Sequence, residues 1–180
     1  MGQYYNAAIL KKNKKTVKEW VYSWDYGNGL KLMEHSYIGN AYVNAMESLL
    51  VENPQRLVWA GDYANQCNGM SSIVYDRCNE KNKVTPNAEM IDSEIYKFVV
   101  NHSKKLYVDK TTVDLIDPDD EDWPMRIHPL PLLTCEGNGG GGGDFRGNER
   151  GIVGTWARDE ISIEKVKPKG YKSLVFDLSE

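Results

Sequence analysis

Long hydrophobic runs are missing from this chain: no apolar stretch approaches the ~18 residues that a membrane-spanning helix needs. The opening Met1-Gly2-Gln3-Tyr4-Tyr5 likewise has neither the basic nor the apolar segment of a secretory leader. Both absences point to a soluble, cytoplasmic protein with no membrane partner. Gly2 is not read as a lipid acceptor, because Asn6 stands where myristoylation wants Ser or Thr. Cysteine is scarce. Cys67, Cys78 and Cys135 form an odd, widely spaced set without a Cys-x-x-Cys, which suits reduced thiols in a reducing compartment. Strong positive charge is absent as well: the formal net charge of -4 gives solubility but no field that would make nucleic acid a default partner.

What the chain has is aromatic residues and short apolar segments. Its 180 residues fit one domain with one core. Five Trp and eleven Tyr, with Leu, Ile and Val in short runs, favour sheet-rich packing. Two segments flanking Lys11-Lys12-Asn13-Lys14-Lys15 read as a hairpin with a basic tip, whose charge solvates the turn and blocks edge pairing. Asn40 is placed to cap a helix over residues 41–52, with Tyr42, Val43, Met46, Leu49 and Leu50 on its apolar side and Asn44, Glu47 and Ser48 opposite; Asn53-Pro54 stops it. Residues 56–60 read as a strand and 65–84 as irregular. Thr85-Pro86 offers a second, short helix with Met90, Ile91 and Ile95 as its stripe. Residues 96–100 and 105–108 form a second hairpin that leaves His102 at its tip in a structural role. Residues 127–134 are broken by prolines and read as an edge strand or extended segment. Residues 152–156 and 161–166 read as a third hairpin, and residues 171–178 as a last strand. The fold class is α+β: a single domain over residues 1–180, mainly antiparallel sheet built from hairpins, with one clear helix and the short one as an option.

Candidate chemistry centres on one stretch. Gly137-Asn138-Gly139-Gly140-Gly141-Gly142-Gly143-Asp144 gives up side chains for backbone, and ordering so much glycine carries a heavy entropy cost that a bound anion would offset. No Gly-Lys-Ser/Thr follows and no strand-loop-helix unit surrounds it, so neither a Walker nor a Rossmann loop is present. Asp144 and Arg146 flank the loop with one acid and one base; a mobile linker is the equally weighted alternative. Glu34-His35-Ser36 sets a carboxylate, an imidazole and a hydroxyl side by side, but neighbours on a strand point to opposite faces and cannot act as a linear triad. His35 alone remains a candidate base. The pattern Trp-Ala-x-Asp occurs at residues 59–62 and 156–159, which would place Asp62 and Asp159 at the mouths of two strands that end alike. The six carboxylates within residues 114–122 lack the Gly and Glu positions of a calcium loop and read as solvated, so no metal site is assigned.

Together, Met1-Gly2-Gln3-Tyr4-Tyr5, Lys31-Leu32-Met33-Glu34-His35-Ser36, Trp59-Ala60-Gly61-Asp62-Tyr63-Ala64 and Pro131-Leu132-Leu133-Thr134 leading into Gly137-Asn138-Gly139 resemble a family of small uncharacterised bacterial and phage proteins. The resemblance implies a microbial or phage setting and carries no activity. The leading functional expectation is a ligand-binding domain, with hydrolysis as an option, whose glycine loop holds an anionic or nucleotide-like small molecule. His35, Glu34, Asp62 and Asp144 would be its catalytic groups, and the loop, Arg146 and Asp159 its binding groups. The alternative is a protein-interaction module, such as a phage-encoded inhibitor of a host protein, and a plainer third is an assembly subunit.

Overall fold

The computed structural model describes residues 2–65, 71–116, 125–137, 145 and 151–178. Its first unit is the expected hairpin: β1 (Tyr5–Leu10) pairs antiparallel with β2 (Val17–Val21), and residues 11–15 form the exposed turn. A short helix, α1 (Leu32–His35), follows where a strand was expected, because Glu34 reaches back to cap the Lys31 N–H and turns the backbone. The clear helix is α2 (Ala41–Leu50). Asn40 caps it by accepting from the N–H groups of Tyr42 and Val43. Tyr42, Val43, Met46 and Leu50 are fully buried, each contributing about 1.5–3 kcal/mol of transfer free energy.

The centre of the sheet is β3 (Gln55–Gly61), which lies antiparallel to β1 from Tyr5↔Gly61 to Leu10↔Arg56. β4 (Phe98–Asn101) and β5 (Leu106–Asp109) form the second expected hairpin. β6 (Leu115–Ile116) and β7 (Met125–Arg126) pair as a separate two-stranded ribbon. Next come α3 (Pro129–Thr134), β8 (Cys135–Glu136), β9 (Glu160–Glu164) and β10 (Lys172–Ser173). The order is β10-β5-β4-β9-β3-β1-β2, with β8 running parallel to the part of β3 that β9 leaves open. Most pairings are antiparallel and the fold is α+β. Alternation along β3 divides the core: Leu57 and Trp59 face α2 and α3, whereas Val58 and Ala60 pack with Ala8, Trp20 and Val74 on the other face.

Four further expectations change. Within residues 127–134, Pro129–Thr134 is helical rather than extended, because Pro129 and Pro131 occupy the first turn, where N–H groups lack intrahelical partners, and His128 caps Leu130 through Nδ1. The Thr85-Pro86 helix shrinks to one 3-10 turn at Ala88–Met90, with Ile95 half exposed. Residues 152–156 are turns, held by Gly154 and Trp156 N–H groups donating to Leu132 and Leu133 O, so no third hairpin forms. The final strand is only the two residues of β10, parallel to β5. No described helix is long and apolar enough to cross a membrane.

Candidate functional site

Where β3 ends and β1 begins, several elements meet. Asp62 accepts the Tyr4 N–H at Oδ1, 3.0 Å, while its own N–H donates to Tyr4 O, so the carboxylate closes the sheet end. The Tyr5 N–H donates to Leu30 O, 2.9 Å, and brings the turn of residues 27–30 against the same end. Gly27 makes that turn with φ +68. Asn28 then ties it to α2, its Oδ1 accepting from Asn40 Nδ2 at 2.6 Å. At Gly29 a side chain would collide with Glu34, whose Oε2 would lie 2.0 Å from an added Cβ. Tyr4, Trp24, residues 27–31 and Glu34 thereby line an open groove of about 510 Å³. Trp24 is 66% exposed and Tyr4 41%, so two aromatic side chains remain available in it. Lys31 stands at its edge, 3.5 Å from Glu34.

Beneath the groove lies His35, completely buried. Its Nε2 accepts from the Trp59 indole N–H at 2.8 Å, which leaves Nδ1–H to donate to Gly29 O at 3.0 Å. Burial pushes the imidazole down to about 4, outweighing the upward pulls of the Gly29 hydrogen bond and the Glu34 carboxylate. Tyr42 packs edge-on against both His35 and Trp59 at 4.9 and 5.3 Å between ring centroids, and its hydroxyl accepts the Ala7 N–H. His35 is thus a neutral strut that fixes the Gly29 carbonyl. Both nitrogens are engaged, and it is not placed to act as a base on a bound molecule.

Of the other sequence-predicted residues, Gly137 lies at this end of the sheet. It directly follows β8, has φ +86, and approaches Gln3 and Ala64 so closely that a Cβ would sit 2.4 Å from Gln3 Nε2. Asn138, Gly139, Gly140, Gly141, Gly142, Gly143, Asp144 and Arg146 lie outside the described residues. So does most of the acidic run, residues 117–122. Asp159 does not join the groove. Its carbonyl accepts the Leu57 N–H, five residues before Asp62 and so roughly 17 Å away along β3. Its carboxylate is taken by Asn101 Nδ2 and Lys104 Nζ. The two Trp-Ala-x-Asp copies are not equivalent, since Trp59 is inside a strand and Trp156 in turns ahead of one. The groove therefore gathers Glu34, with Asp62 and Gly137 beside it and His35 below, and leaves Asp159 elsewhere.

Two clusters were not foreseen. Glu47, Lys110 and His128 are buried together, with Lys110 Nζ and His128 Nε2–H both donating to Glu47 Oε1 at 2.7 and 2.9 Å. Burial alone would raise the Glu47 carboxyl, but His128 and Lys110 outweigh it and hold it below its ordinary range. Burial also lowers His128 despite Glu47, so the charged pair is Glu47 with Lys110. The second cluster is a hydroxyl–imidazole chain: Tyr171 OH to His102 Nδ1 at 3.0 Å, His102 Nε2–H to Ser162 Oγ at 2.7 Å, and Ser162 O–H to Glu164 at 2.6 Å. With its proton committed to Glu164 and its oxygen fully buried, Ser162 is a structural link rather than a nucleophile.

Two smaller cavities, about 250 and 360 Å³, flank the β6–β7 ribbon and touch none of the sequence-predicted site residues. Among the described residues no group of three His, Cys, Asp or Glu is arranged to hold a metal ion. Set against protein-family models, curated proteins and solved structures, the chain matches none.

Proposed function

We propose that the groove lined by Tyr4, Trp24, residues 27–31 and Glu34 binds a small, nucleotide-like anion. The observation that carries this reading is the exposure of Trp24 and Tyr4 inside a concave site whose remaining lining is residues 27–31 and Glu34. Exposed aromatic faces suit a planar ring, Lys31 suits an anionic group at the rim, and the Glu34 carboxylate suits a hydroxyl or exocyclic amine. Gly137, next to Gln3 and Ala64, sets the first residue of the glycine-rich stretch beside this end of the sheet. A microbial or phage cytoplasm, the setting implied by the family resemblance, would supply such ligands. Thermal-shift measurements with nucleoside monophosphates, ribose phosphate and inorganic phosphate test the reading. A nucleotide at about 100 times its Kd should raise the melting temperature by roughly 5–10 °C. Trp24→Ala should abolish the shift, and a shift unchanged in that variant would move the ligand elsewhere.

A second reading rests on Tyr63, 47% exposed and just beyond β3. With Tyr4 and Trp24 it offers an aromatic surface suited to a host protein. That reading requires Tyr63→Ala to weaken the partner complex as strongly as Trp24→Ala, with nucleotides having no effect.

A further inference from the structure

A net charge of -4 conceals a ribbon of lysines. The β1–β2 turn carries Lys11, Lys12, Lys14 and Lys15, all exposed, and the β4–β5 turn carries exposed Lys104 and Lys105. Hydrogen bonds join these turns into one surface. Arg158 Nη1 donates to Lys14 O at 2.9 Å, the adjacent Asp159 binds Lys104, and the N–H of exposed Lys172 donates to Lys105 O at 3.0 Å. Two nearby acids are paired within this surface, Glu136 with the Arg158 fork and Asp159 with Asn101 and Lys104, so the charge that the ribbon presents outward rests on its other lysines. From β2 to β10 the ribbon crosses six strand spacings, roughly 29 Å.

Backbone conformation supplies an independent observation. Among the described residues four that are not glycine have positive φ, and three of them, Lys14 (60°), Lys105 (55°) and Arg158 (67°), belong to this ribbon. Glycine would adopt that conformation without steric cost, and a side chain there carries strain. Strain of this kind accumulates where function holds a side chain in place. At Lys14 and Lys105 the retained feature is an exposed ammonium group, whereas the Arg158 guanidinium holds Glu136 and the Lys14 carbonyl.

We propose that this ribbon binds a nucleic-acid strand through its phosphates. A line of separate ammonium groups over ~29 Å matches a polymer with regularly repeated single charges. Protein interfaces favour aromatic anchors and are poor in lysine, and the turns that make the ribbon contain no exposed large hydrophobic residue. The ribbon is distinct from the groove: Tyr4 precedes β1 and the lysine turn follows it.

Fluorescence anisotropy of the full chain with labelled 20-nucleotide single strands and 20-base-pair duplexes tests the proposal. With about four phosphates neutralised, affinity should fall roughly 50- to 150-fold between 50 and 200 mM salt. Lys14→Gly/Lys105→Gly removes two charges together with their backbone strain. It should weaken binding about tenfold, reduce the log–log salt slope by roughly 1.4–1.8, and leave the melting temperature no lower than wild type. Lys12→Glu/Lys172→Glu, at exposed positions, should weaken binding at least as much. No binding at 50 mM salt, or binding unchanged in both variants, would overturn the proposal. So would displacement by polyglutamate or by phosphatidylserine vesicles at charge concentrations that match the oligonucleotide, which would reassign the ribbon to an acidic protein or a membrane surface.

Discussion

His35 transmits the packing of the core to the groove, since one ring nitrogen takes the Trp59 proton and the other gives its own to Gly29. The unfolded chain takes up a proton near pH 6.5, whereas the native imidazole does so only at about 4. The contribution of this group is thus complete above pH 6.5, and about 3 kcal/mol of it is lost as pH falls toward 4. Denaturant titrations across that range should show the decline. His35→Gln should flatten it without removing it, because buried His128 acts in the same direction; an unchanged slope would mean that the native His35 imidazole is not held below its ordinary value. Lys110→Met should cost about 3–5 kcal/mol by leaving the Glu47 carboxylate buried without its counter-charge. Adding Glu47→Gln, which still accepts from His128, should recover most of that loss in the same titration. Glu47 was legible in principle. It stands four residues after Val43 and three before Leu50, which sets it on the buried stripe of α2, but its charge assigns it to the polar side when residue type is weighed above position. Lys110 and His128 carry no such periodicity and become partners only through tertiary packing.

Among the elements, the N-terminus of α2 links helix stability to groove shape. Asn40 accepts the first helical N–H groups with Oδ1 and donates to Asn28 with Nδ2. Asn40→Ala should destabilise by about 1–2 kcal/mol. Asn40→Asp keeps the helix cap but sets a carboxylate against Asn28 Oδ1, so it should cost less stability than Asn40→Ala while weakening ligand binding in the groove; calorimetry and titration together separate the two effects. The first two hairpins, β3 and α2 were readable because alternation, a polar turn and an Asn cap are local features. The segment at 127–134 was misread because prolines argue against strands and helix interiors alike, and only the position of the helix start shows that both fall in a first turn. Residues 152–156 have strand-like composition, yet their backbone groups bond to α3, a contact at long sequence separation that no local pattern announces.

At the scale of the whole molecule the two surfaces divide along β1, with the aromatic groove at its beginning and the lysine ribbon after its end. The grouping of candidate residues was partly legible. Glu34, Asp62 and Gly137 come to one end of the sheet, whereas Asp159, chosen by its resemblance to the sequence around Asp62, pairs with the far part of β3. A four-residue pattern specifies side chains and leaves strand register undetermined. The central claim is that the groove is a ligand site, and the most direct measurement is amide and indole chemical-shift mapping of ¹⁵N-labelled protein titrated with a nucleoside monophosphate. Saturable shifts should concentrate at Tyr4, at residues 27–31 and at the Trp24 indole N–H, and Trp24→Ala should suppress them. An absence of saturable shifts at millimolar nucleotide, or shifts confined to other surfaces, would contradict the account.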